Sequence, residues 1–158
     1  MSKKQRYCGL TLRDISTAEH SLLLSHSVAS EHAPYALIHD MGEVPFGDIP
    51  GPVKKAPGLE IIREAEDAVL KTIAVGLGLR WPFPEEVSLL DKLVVQIEAP
   101  AAFETMPVEW QTLPTDGYEQ GLAEYRNRLE FLSPTVARTR FLQRFHELFP
   151  HYTTGQAK

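Results

Sequence analysis

Apolar residues recur at three- and four-residue spacing through most of the chain, and punctuation between the runs sets element boundaries. STAEHSLLLSHSVASEH, Ser16 to His32, is expected to be a helix: Ser16 precedes Glu19 by three residues, a capping-box pattern that predicts its start. Pro34 suits the first turn of a second helix running to about Val44. Pro45 to Gly58 holds four prolines and three glycines and is expected to be loop. Ile61, Ile62, Ala65, Val69 and Ile73 predict a long helix over Leu59 to Leu77. Pro82 and Pro84 break the pattern, and a further helix is expected from Glu85 to about Ala99. Thr112 to Gly117 is turn-rich, and Tyr118 to Leu132 is expected to be helical. Ser133-Pro134 then opens an amphipathic helix through TVARTRFLQRFHELF. No run of alternating strands is present. The expected fold is all-α, a single domain over residues 1–158 built as a bundle of about six helices.

Some polar residues interrupt the apolar stripes. In VSLLDKLVVQIEA, Val87, Leu90, Val94 and Ile97 form a stripe, and Asp91 falls within it. An unpaired carboxylate there would cost several kcal/mol, so it needs an arginine, a lysine or a metal. His20 shares its side of the helix with Leu23, Leu24 and Val28, as either a core histidine with a partner or a ligand. In YALIHDMGEV, Leu37, Ile38, Met41 and Val44 make one stripe, and Ala36, His39, Asp40 and Glu43 make another. A solvated face would explain the second stripe but not the inward His20 and Asp91. One divalent cation ringed by His20, His39, Asp40 and Asp91 explains all four. Two imidazoles and two carboxylates suit a first-row transition metal such as Co, Mn, Zn, Ni or Fe, with positions left for water and substrate.

The length of 158 residues fits one compact domain. The net charge of −5 argues against a nucleic-acid polymer as partner, because such binding needs a basic face. It leaves room for a small anionic substrate held by a few local cations. The single cysteine, Cys8, is expected to be a small semi-buried residue rather than a nucleophile. MSKKQRYCGL has no apolar segment after its charges, and no run approaches the ~20 apolar residues of a membrane span. A cytoplasmic protein without a membrane partner is expected. His26, His32, His146 and His151 are expected to be incidental.

With AEHS, HDMGE, GDIPGPVKK and LLDKLVVQIEA, the chain resembles the HD-domain metal-dependent phosphohydrolases, in particular the small bacterial and phage HD hydrolases and the bacterial 5′-deoxynucleotidases. RYCGL resembles their arginine-aromatic segment, and LSPTVARTRFLQRFHEL is similar to the way short members end, so the likeness runs from Arg6 to about Leu148. Tyr7 stands where the nucleotidases tend to have tryptophan. The resemblance implies a single divalent metal on His20, His39, Asp40 and Asp91. It implies catalytic roles for Glu43 and Asp48 and substrate contacts from Arg6, Tyr7 and Lys54. The implied activity is hydrolysis of deoxynucleoside 5′-monophosphates. The alternatives are a deoxynucleoside triphosphate substrate such as dATP, or a non-catalytic nucleotide-binding regulator. A homo-oligomer is expected, with Trp110 and the last helix offering an apolar contact.

Overall fold

The computed structural model describes residues 1–47, 49, 51–54, 56–104 and 113–152. These form helices α1 (Thr17–Ser27), α2 (Ala33–Ile38), the single turn α3 (Gly51–Lys54), α4 (Glu60–Gly76), α5 (Glu85–Ala102), α6 (Glu119–Arg128) and α7 (Pro134–Leu148). Two 3₁₀ turns, Arg6–Gly9 and His39–Glu43, complete the regular structure of the described residues. Among the described residues there is no strand, only one isolated bridge between Gln5 and Ser16. The all-α expectation therefore holds, with six helices longer than one turn among the described residues. No described helix is long and apolar enough to cross a membrane.

The expected cap at Ser16 is present, with Glu19 N donating to Ser16 Oγ at 3.1 Å. Helix α1 is buried on nearly every side and packs against α2, α5, α6 and α7. Its small polar residues allow this: Ser25 and Ser27 return their hydroxyls to the carbonyls of Leu22 and Leu23. One apolar cluster joins Leu23 and Leu24 to Val87, Leu90, Val94 and Ile97 of α5 and Leu122 and Tyr125 of α6. A second joins Ala18, Leu37, Ile38, Ala74, Ala137 and Phe141. Burying a side chain of the Leu or Phe class contributes about 1.5–3 kcal/mol, so these contacts fix how α1 and α5 face each other.

Several expected boundaries change, beginning with the first helix, which ends at Ser27 rather than running on to His32. The second helix does not run unbroken to Val44: its α-helical part ends at Ile38, and His39–Glu43 winds as a 3₁₀ turn. That turn lies directly against α4. A Cβ on Gly42 would come within 2.5 Å of the Glu66 carbonyl oxygen and 3.0 Å of Leu70 Cβ, so only glycine permits the approach. The sixth helix stops at Arg128 rather than Leu132 because a buried side chain claims the backbone beyond it. The carboxylate of Glu19 accepts the N–H groups of Glu130, Phe131 and Leu132 at 2.8–3.2 Å, and Phe131 has φ of 60°. The expected loop from Pro45 to Gly58 contains α3, and α5 runs past Ala99 through Pro100 to Ala102.

The N-terminal arm is tied to the start of α1. Arg6 N donates to Ile15 O at 2.8 Å and Thr17 N donates to Lys4 O at 2.9 Å. Lys4 Nζ reaches the carbonyls of Glu43 and Val44 at 3.1 and 2.6 Å. The arm thus bridges α1 and the His39–Glu43 turn, and it carries Arg6 to the place where they meet α5. Cys8 is exposed, not semi-buried, while its neighbours Arg6 and Tyr7 in the same turn reach inward to Glu98.

Candidate metal centre

Helix α1 supplies His20, the 3₁₀ turn supplies His39 and Asp40, and α5 supplies Asp91. One ligand atom from each of His20, His39 and Asp91 lies within 4.8 Å of the others. His20 Nε2 is 3.2 Å from His39 Nε2 and 3.0 Å from Asp91 Oδ1, and His39 Nε2 is 3.7 Å from Asp91 Oδ1. Asp40 stands beside this group, 3.1 Å from His39 Nε2 and 3.9 Å from His20 Nε2. His20 is fully buried, whereas about a third of the Asp91 side chain (32%) is exposed, so the cluster meets solvent on its α5 side.

The outer nitrogen of each imidazole fixes the inner one. His20 Nδ1 lies 2.9 Å from Glu98 Oε1, a carboxylate oxygen that can only accept when ionised. His39 Nδ1 lies 2.7 Å from the Ala36 carbonyl. Each Nδ1 therefore carries a proton and donates it. In the neutral rings both Nε2 atoms present lone pairs, and they present them to each other and to a carboxylate. Asp91 Oδ1 is buried and accepts no well-aligned hydrogen bond, although His20 Nε2 is close. Facing lone pairs repel unless a positive charge lies among them.

A nearby guanidinium supplies part of that charge. Arg6 Nε donates to Glu98 Oε2 at 2.9 Å, and its terminal nitrogens lie 3.6 Å from Asp40 and 3.9 Å from Asp91. The bond to Glu98 is a normal charge-assisted one; the other two contacts are too long to be hydrogen bonds. Among the described residues, three carboxylates (Asp40, Asp91 and Glu98) face one guanidinium, so two of their negative charges stay uncompensated while both imidazoles are neutral. A divalent cation cancels them.

Without a metal, protons do this work. Burial disfavours charge on His39, yet Asp40 and Asp91 outweigh it and hold its pKa at about 9. Burial and Arg6 push His20 down, but Glu98 and Asp91 raise it above its ordinary value. Burial would raise Asp91, and the two imidazoles instead hold it well below the usual carboxylate range. Glu98 is buried too, but Arg6 and His20 bring it down to about 2.

The other expected site residues divide between two places. Tyr7 OH donates to Glu98 Oε2 at 2.7 Å, on the outer side of His20. Glu43 and Lys54 are brought together, and Lys54 Nζ also lies 2.9 Å from Glu66 Oε2. In a 3₁₀ turn, residues three apart eclipse, so Asp40 and Glu43 share a face. Burial and the Asp40 charge raise the pKa of Glu43 against the pull of Lys54. Asp48 and Trp110 lie outside the described residues. The four incidental histidines stay out of the cluster: His32 pairs with Glu86, His146 and His151 are exposed, and His26 lines a separate cleft.

Sequence reasoning missed Glu98 and Tyr125. Glu98 is seven residues after Asp91, two helical turns along the same inward face, and that spacing was the available signal. Tyr125 hydroxyl donates to Glu98 Oε1 and sits 3.0 Å from His20 Nδ1, a contact across helices that no local spacing encodes.

No protein-family model matches the chain, and no curated protein or solved structure matches it.

Proposed function

We propose that this protein is a hydrolase that uses one divalent metal ion to cleave the phosphate ester of deoxynucleoside 5′-monophosphates. The observation that carries the reading is the meeting of two Nε2 atoms, each on a ring whose Nδ1 already has an acceptor, with the Asp91 carboxylate from α1, the 3₁₀ turn and α5. The resemblance of HDMGE and its companion motifs to HD-domain phosphohydrolases supports it.

His20, His39 and Asp91 would hold the ion, with Asp40 completing the set. A metal held there would supply Lewis acidity and a water of lowered pKa. The protein's own groups do the rest. Glu98 keeps the proton on His20 Nδ1 and so keeps Nε2 available. Glu43, on the same face as Asp40, holds the attacking water or passes its proton to the leaving oxygen; its raised pKa suits acid–base work. Arg6 is anchored through Nε by Glu98, which leaves its terminal nitrogens directed to the cluster, where they can take a phosphate oxygen. Lys54 compensates Glu43 in this arrangement rather than standing ready for phosphate.

Metal analysis followed by a phosphate-release screen over deoxynucleoside mono- and triphosphates tests the reading. Turnover of monophosphates with loss of about 100-fold or more in Glu43→Gln is expected. Release only from triphosphates would move the substrate to the triphosphate alternative. Nucleotide binding without turnover would make the protein a regulator. Full turnover in Glu43→Gln would remove Glu43 from its role.

A further inference from the structure

Glu66 stands outside the metal cluster, and the reaction above gives it no part. It sits on the inner face of α4 with only 8% of its surface exposed. Oε2 lies 2.9 Å from Lys54 Nζ, while Oε1 is buried with no hydrogen-bond partner among the described residues. Lys54, itself 12% exposed, also contacts Glu43 Oε1, so two carboxylates share one ammonium. A carboxylate on an apolar helix face is costly to bury, and an apolar side chain would fill the space with less penalty. The backbone shows what Glu66 sits against: its carbonyl is the atom that a Cβ on Gly42 would strike at 2.5 Å. Glu66 therefore meets the 3₁₀ turn twice, once through its backbone at Gly42 and once through Lys54 at Glu43. From the other side, Lys4 Nζ holds the carbonyls of Glu43 and Val44.

We infer that Glu66 is a positioning residue: through Lys54 it fixes the Glu43 carboxylate on the face it shares with Asp40. The inference rests on the role given above to Glu43. Glu66 touches none of the four metal residues in this account, so its loss acts on turnover and not on ion retention. Lys54 bridges α3 and α4 and carries the restraint across.

Two measurements on the full chain test it. The first needs no turnover: limited acylation by acetic anhydride, with each lysine quantified by mass spectrometry. Exposed Lys71 and Lys92 serve as references. Lys54 should react slowly in the parent and several-fold faster in Glu66→Gln, with the references unchanged. An unchanged Lys54 rate overturns the anchor. The second is kinetic. Glu66→Gln should lower kcat about tenfold while KM and metal content stay near parental values. Combining it with Lys54→Gln should cost no more than the worse single change, because both break one linkage. Additive losses, or a fall confined to thermal stability, overturn the positioning role. Failure of the phosphohydrolase reading is distinguishable. It appears as a parent protein inert toward every nucleotide, which also removes the catalytic part of this inference, whereas the acylation result reads the anchor by itself.

Discussion

Glu98 gathers four partners on two oxygens: His20 and Tyr125 on one, Arg6 and Tyr7 on the other. Its loss should be felt in both folding and metal binding. Glu98→Gln removes the charge that Arg6 and His20 rely on and offers a donor where acceptors are needed. Stability should fall by about 3 kcal/mol in urea unfolding, and metal affinity by roughly 10–100-fold in calorimetric titration. Unchanged affinity would show that the His20 ring needs no such support. His39 gives a pH test with a definite sign. Its folded pKa of about 9 stands above the unfolded value of about 6.5, so the metal-free folded state binds the proton more tightly. That stabilisation is complete below about pH 6.5 and is lost as pH rises through 9. Urea unfolding of metal-free protein should therefore weaken by roughly 2–3 kcal/mol over that window. Protein loaded with a metal should lack this loss, because an ion held by His39 Nε2 would take the proton's place. At this scale the sequence was legible where a polar residue broke an apolar stripe. His20 and Asp91 stood out for that reason, and Glu98 met the same criterion two turns later. Tyr125 did not, since a tyrosine among leucines breaks no pattern.

The 3₁₀ turn at His39–Glu43 decides how one short sequence serves two tasks. An α-helix would place successive residues about 100° apart and offset Asp40 from Glu43; the tighter turn eclipses them. His39 and Asp40 face the cluster, and Glu43 is left beside Asp40 and within reach of Lys54. Gly42 is what lets this turn lie on α4. Gly42→Ala should cost about 1–3 kcal/mol in denaturant unfolding, because the new methyl group meets backbone at 2.5 Å rather than a movable side chain. Stability equal to the parent's would mean that the turn can lift from α4 without penalty. The sequence announced helix here, and the residues continue the apolar spacing of α2 into the turn. What it did not announce was the neighbour: the shift to 3₁₀ follows from packing against α4, which is remote in sequence. The end of α6 at Arg128 has the same origin, since Glu19 claims the following N–H groups from more than a hundred residues away.

Across the whole molecule, α1 is the axis on which the site is built. It is buried on nearly all sides, carries His20 at its core, and holds α5, α6 and α7 around it. The N-terminal arm closes the arrangement by bringing Arg6 to the junction of α1, α5 and the 3₁₀ turn. The all-α architecture was readable from periodicity because each helix carries its own apolar stripe. The convergence of four elements on one point was readable only as an expectation, since it depends on helix crossings that local spacing does not set. A bound ion should tie these elements together. With free ion at 100 times its dissociation constant, linkage alone adds about 2.7 kcal/mol to stability. The most direct measurement is a crystal structure of the metal-loaded protein with anomalous scattering recorded at the metal edge. One strong peak per chain is expected between His20 Nε2, His39 Nε2 and Asp91 Oδ1, with Asp40 turned to it. No peak there, or an ion held elsewhere while Arg6 closes on Asp40 and Asp91, would contradict it.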